Sequence, residues 1–108
     1  MYDSIDINEI DNINITATKI NESNKRILID IRDKYEYILG SIKNSINLPY
    51  NYLALIPENY LDPSSIYYIY CDSGSKSRKL CVFLNQLGYQ VVDLTGGYNN
   101  YHKNGLNL

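Results

Sequence analysis

The sequence predicts an α/β fold: a five-stranded, mainly parallel sheet with helices on both faces. Two observations carry this expectation. Five short β-prone runs occur along the chain, and several are continuous Ile, Val, Leu and Tyr rather than alternating apolar and polar, the pattern of strands covered on both sides. Helix-like stretches lie between them, and strands alternating with helices build parallel sheets through crossover connections.

The elements follow in order. Ser4–Ile7 is the first run, and Asn8 is placed to cap a short helix carrying Ile10 and Ile13. Arg26–Ile31 is the second. Asp33 followed by Glu36 in DKYE reads as a capping box, opening a helix through Ile38 that Gly40 closes. Ser45–Leu48 is the third run, and a short helix over Tyr50–Ile56 ends before Pro57. Ile66–Tyr70 is the fourth. Lys76–Leu87 is the clearest helix, with Leu80, Phe83, Leu84 and Leu87 on one face and Gly88 as its stop. Gln90–Leu94 is the fifth run, and a last helix is expected over Tyr98–Lys103, before Gly105.

With 108 residues and no repeat, low-complexity tract or linker, the chain is expected to form one domain over 1–108, large enough for a core without disulfides or metals. It is 44% hydrophobic and 20% charged with a formal charge of −2, a balance that gives no reason to expect nucleic acid or an anionic membrane as partner. No stretch approaches the roughly 20 apolar residues of a membrane span. The start, MYDSIDINEID, lacks a signal-peptide pattern, so the expected location is the cytoplasm. Abundant Ile, Asn and Tyr without Trp fits AT-rich codon usage, so Tyr or Lys can stand where another chain has Trp or Arg.

Cys71, Cys81 and His102 are the only Cys and His residues, too few for a structural zinc site. A Cys71–Cys81 disulfide is disfavoured in a reducing compartment. Cys81 lies inside the Lys76–Leu87 helix beside core positions and reads as packing. His102 sits between Tyr101 and Lys103, where a solvated histidine is the simpler reading than a base for Cys71.

The chemistry concentrates in YCDSGSKS, residues 70–77. Ligands of open parallel sheets bind beyond the carboxyl ends of the strands, and Cys71 is the first residue past Ile66–Tyr70. Asp72, Ser73, Gly74 and Ser75 must then turn the chain into a helix. Small residues let the backbone curl tightly, with Gly74 free to take a positive φ. Such a turn aims several N–H groups into one concavity, and the helix N-terminus adds its positive end. A cysteine held there becomes rich in thiolate and nucleophilic. Lys76 and Arg78 add positive charge, and Ser75 and Ser77 offer hydroxyl donors. The alternative is that Cys71 is a small buried hydrophobe at a strand end.

Three segments together resemble the single-domain rhodanese family of sulfurtransferases, over nearly the whole chain. LIDIRDKYEYILGSIKNSINLP, residues 28–49, is similar to the family's Asp-x-Arg, Glu-Tyr/Phe, Gly-His-Ile and Ala-Ile-Asn-x-Pro segment. YCDSGSKS is similar to its active-site Cys-x-x-Gly-x-Arg-Ser/Thr. LGYQVVDLTGGYNNYHKNGL, residues 87–106, is similar to its closing Gly-Gly and Trp run.

The resemblance implies a rhodanese-like fold and an enzyme of sulfur metabolism that uses no metal and no organic cofactor. Cys71 would be the catalytic residue, taking a sulfane sulfur from thiosulfate, a persulfide or a polysulfide and carrying it as a persulfide. It would hand that sulfur to a thiol, a protein thiol among them, or to cyanide. Asp72, Ser73, Gly74, Ser75, Lys76 and Ser77 would form the cradle. Asp30 and Arg32, at the end of the second run, would brace the loop or line the donor pocket; the alternative is an exposed ion pair worth little.

Three positions depart from the family pattern. Lys76 stands for the arginine and lacks its planar fork, Ser41 for the histidine of Gly-His-Ile, and Tyr101 for the tryptophan. The competing chemistry is a phosphatase or arsenate reductase-like activity on the same fold. It uses Cys-x5-Arg, and six residues past Cys71 stands Ser77, so the loop length favours sulfur. A non-catalytic regulatory or sulfur-carrying module is the third reading, and the presence of Cys71 argues against it.

Overall fold

The computed structural model describes residues 2–102. Its centre is a five-stranded sheet in the order β1-β5-β4-β2-β3, from β1 (Asp3–Asp6), β2 (Arg26–Asp30), β3 (Ser45–Asn47), β4 (Ile66–Tyr70) and β5 (Gln90–Thr95). All four pairings are parallel. The five runs expected from the sequence are the five strands, with ends moved by one residue at most.

The helices are α1 (Lys34–Leu39), α2 (Tyr50–Leu55) and α3 (Ser75–Gln86), joined by short 3-10 turns at Ile7–Asn12, Pro57–Asn59 and Tyr98–Asn100. The first turn is capped by Asp6, whose side chain accepts from the Asn8 amide at 2.9 Å, so Asn8 is not the cap. At α1 the capping box forms: the Asp33 amide donates to Glu36 Oε1 at 3.3 Å, and Gly40 closes the helix. The last helix expected from the sequence is the 3-10 turn Tyr98–Asn100; its expected end at Lys103, and Gly105, lie outside the described residues.

Both sheet faces are covered, by unlike elements. Ile27, Ile29, Ile31, Tyr67, Ile69 and Val91 meet Leu53 of α2 and Leu80, Cys81 and Leu84 of α3. On the other side Leu28, Tyr68, Tyr70, Val92 and Leu94 meet Ile7 and Ile10 of the first turn, Ile42 and Tyr101. Helix α1 buries none of its residues. The inner stripe of α3 is Ser77, Leu80, Cys81 and Leu84. Leu80 and Leu84 were expected there. Phe83 and Leu87 were also expected there but are exposed, because the helix turns its cysteine and a serine onto the sheet instead. Among the described residues no helix is long and apolar enough to cross a membrane.

Candidate active site

β4 ends at Tyr70 and α3 begins at Ser75, so residues 71–74 must reverse direction at the carboxyl edge of the sheet. Gly74 makes this feasible with φ +101°, a conformation L side chains rarely adopt. The loop closes around the cysteine. The Gly74 and Ser77 amides donate to Cys71 Sγ at 3.2 and 3.3 Å. A thiolate or an anionic persulfide is a better acceptor for these donors than a neutral thiol.

The loop is held from behind by the Gly96–Gly97 turn. The Tyr98 amide donates to the Cys71 carbonyl at 2.8 Å, and the Asn99 amide to the Asp72 carbonyl at 2.9 Å. That approach requires glycine at 97, where an added Cβ would lie 2.2 Å from the Asp72 carbonyl oxygen. In the sequence Gly96–Gly97 belongs to the motif of residues 87–106, and nothing local to it shows this contact with the Cys71 loop.

In front of Cys71 is a cavity of about 110 Å³ lined by Ile31, Arg32, Asp33, Glu36, Pro49, Tyr50, Asn51, Asp72 and Lys76 as well as the cysteine. Of the expected cradle residues, Asp72 and Lys76 line it, and Gly74 and Ser77 reach the sulfur through their amides. Ser73, Gly74 and Ser75 line a second cavity of about 280 Å³ behind the loop, together with Arg78 and Asp93. Arg78 is therefore not part of the front cavity. Ser77 also departs from expectation: its hydroxyl donates to Asp93 Oδ1 at 2.7 Å, away from the sulfur.

Asp30 and Arg32 are not an exposed pair. Arg32 Nε and Nη2 donate to the Asp30 carboxylate at 2.8 to 3.2 Å, with side chains 6% and 0% exposed. Arg32 Nη2 also donates to the Gly40 carbonyl at 2.6 Å, and its guanidinium lies 4.2 Å from the centre of the Tyr98 ring. This network ties β2, α1 and the Tyr98 turn together; Arg32 is part of the lining of the front cavity, and Asp30, which is not, holds the guanidinium in place.

Both cysteines are free. Burial pushes the Cys81 thiol well above the usual range, helped by Asp93, which suits its reading as a packing residue. His102 is half exposed and pairs with Asp11, an acid–histidine contact the sequence did not reveal. Tyr101 beside it packs against the face of the sheet opposite the Cys71 cluster, so the pair does not form a triad with Cys71. Among the described residues no group of three or more His, Cys, Asp or Glu side chains is arranged to hold a metal ion.

Comparison with known proteins agrees with this architecture. The chain is 32% identical over 101 residues to a protein of Allochromatium vinosum named "Sulfurtransferase", covering 93% of this chain and 92% of that one. It is 34% identical over 88 residues to the "tRNA uridine(34) hydroxylase" of Ehrlichia ruminantium, covering 74% of this chain but only 32% of that longer protein. Among solved structures, the rhodanese-related protein of Thermoplasma volcanium superposes with a TM-score of 0.76 at 31% identity, covering 96% of this chain and 94% of that one. With residues 15–104 matching the Rhodanese-like domain, the chain belongs to the rhodanese-like domain family.

Proposed function

We propose that this protein is a sulfurtransferase that carries sulfane sulfur as a persulfide on Cys71. The observation that carries the reading is the pair of backbone amides, Gly74 and Ser77, that donate to Cys71 Sγ. In the first step the Cys71 thiolate attacks the outer sulfur of a donor. With thiosulfate the S–S bond of the donor breaks, sulfite leaves with its electron pair, and Cys71 holds an anionic persulfide. In the second step a thiol attacks the outer sulfur, the Cys71 S–S bond breaks, and the products are the Cys71 thiolate and a persulfide of the acceptor. Cyanide in place of the thiol yields thiocyanate. The charge stays on sulfur throughout, on Sγ in the thiolate and on the outer sulfur in the persulfide, and the amide-lined loop favours an anion in both states.

The lining of the front cavity bears on the donor. Asp33, Glu36 and Asp72 place three carboxylates around it, and the charge of Arg32 is taken by Asp30. Among the described residues that line the cavity, Lys76 is the cation left to attract an anion, and a lysine offers no bidentate fork. A persulfide on a small or protein thiol is therefore the preferred donor, with dianionic thiosulfate a weaker one.

Mass spectrometry after treatment with thiosulfate or polysulfide tests the reading. One added sulfur atom on the peptide containing Cys71, labile to cyanide and absent in Cys71→Ser, is the expected result. The adduct on Cys81, or turnover of an aryl phosphate without any persulfide, overturns it.

A further inference from the structure

Strand β5 carries one charge, Asp93, and buries it at 2% exposure. Asp93 shares its side of the strand with Val91, beneath α3. A lone carboxylate is costly to bury without compensating hydrogen bonds. No salt bridge among the described residues involves it. What it has is the Ser77 hydroxyl at 2.7 Å, and the same hydroxyl lies 3.2 Å from the Gly74 carbonyl oxygen. A hydroxyl has a single proton to donate, so strong donation to one acceptor weakens donation to the other. Gly74 and Ser77 are also the two residues whose amides hold Cys71 Sγ.

We propose that Asp93 is a positioning residue whose protonation state adjusts the amide cradle around Cys71. With Asp93 ionised, its carboxylate accepts the hydrogen bond of the Ser77 hydroxyl and draws the first turn of α3 onto β5. With Asp93 protonated, its own O–H donates to Ser77 Oγ, and the serine proton turns to the Gly74 carbonyl. One proton enters from solvent, and no bond between heavy atoms forms or breaks. The cavity behind the loop reaches both Gly74 and Asp93 and gives that proton a path.

Burial raises the Asp93 carboxyl above the usual aspartate range, against the lowering effect of the Ser77 hydrogen bond and the Arg78 charge. The groups facing it are Ser77, Arg78 and Cys81 of α3, Tyr2 ahead of β1, and its register partners Ser4 of β1 and Ile69 of β4. Burial pushes both Cys81 and Tyr2 upward, so they keep their protons while Asp93 titrates. The consequence for sulfur transfer rests on the reading of Cys71 given above; the coupling of Asp93 to the thiol does not.

The experiment is the pH dependence of Cys71 alkylation by iodoacetamide, a neutral probe, followed on the Cys71 peptide. Persulfide formation from polysulfide is measured in parallel, with wild type, Asp93→Asn and Ser77→Ala each checked by thermal melting. Wild type should show an extra inflection on the acid side, about fivefold in rate constant, the size of one modest hydrogen bond. Both variants should lack it. Each variant removes one end of the same contact, so either one that folds decides. An inflection that persists in a folded variant, or no extra inflection in wild type, overturns the proposal. Loss of persulfide formation in wild type with the alkylation inflection intact removes the sulfur-transfer reading and leaves Asp93 in its role.

Discussion

Lys76 is where the residues around Cys71 depart most from what the resemblance implies. It lines the front cavity, but an ammonium on a flexible stem grips an oxyanion at one point, where a guanidinium would grip at two. Lys76→Arg should lower the KM for thiosulfate by about tenfold, the worth of one added charge-assisted hydrogen bond. The rate with a persulfide donor should change little. Steady-state kinetics with the two donors side by side check this, and an equal gain for both would argue against oxyanion binding as the limit. Gly97 acts at the same scale through space alone. Gly97→Ala places a methyl against the Asp72 carbonyl, so the Cys71 loop must move. The expected result is a loss of Cys71 alkylation rate that exceeds the loss of melting temperature, measured on one preparation.

At the scale of elements, α3 shows how far periodicity reaches. Its existence, its approximate span and Gly88 beyond its end follow from spacing and glycine. Its rotation does not, because Ser77 and Cys81 are small enough to sit flush on the sheet while Phe83 and Leu87 stay out. Leu84→Ala should cost about 2–5 kcal/mol, and Phe83→Ala less than about 1 kcal/mol. Denaturant melts of the two variants separate the observed rotation from the one periodicity suggests. The buried Asp30–Arg32 pair joins β2 to α1 and to the Tyr98 turn, and removing one partner of such a pair strands a charge in the interior. Arg32→Ala should lose about 3–5 kcal/mol by the same melts. The sequence placed both residues at the strand end. It could not show their burial, which depends on Gly40 and Tyr98, eight and more than sixty residues away in the chain.

Across the whole molecule, tyrosine takes much of the work of a core. The chain has 12 tyrosines and no tryptophan. Burial raises Tyr67 and Tyr70 above the ordinary value of 10.0 and pushes Tyr101 up to about 12, with Asp11 adding to the last. In the unfolded chain these phenols release their protons near 10, while in the fold they keep them. Above that pH the unfolded state therefore binds fewer protons, and stability falls as pH rises. The melting temperature should drop steeply between about pH 10 and 12. The tyrosinate signal of the buried phenols should coincide with unfolding rather than precede it. Ionisation of the buried phenols in a chain that stays folded would contradict this.

Chain order and residue type by themselves determined the strand-helix alternation, the placement of Cys71 at a strand end, the glycine that lets its loop turn, and the family likeness. These are local properties: periodicity, turn chemistry and the spacing of a motif are all written within a few residues. The tertiary structure alone decided that Ser77 turns its hydroxyl to Asp93 rather than to sulfur, that Arg32 spends its charge on Asp30, and that Gly97 must have no side chain. The Ser77 and Gly97 contacts join segments far apart in sequence, set by how the sheet brings their edges together, whereas Asp30 and Arg32 are two residues apart and what the fold decides is their burial against Gly40 and Tyr98. A charged residue inside QVVDLT was the one visible hint of the Asp93 contact, and only the packing of α3 against β5 gives that charge a partner.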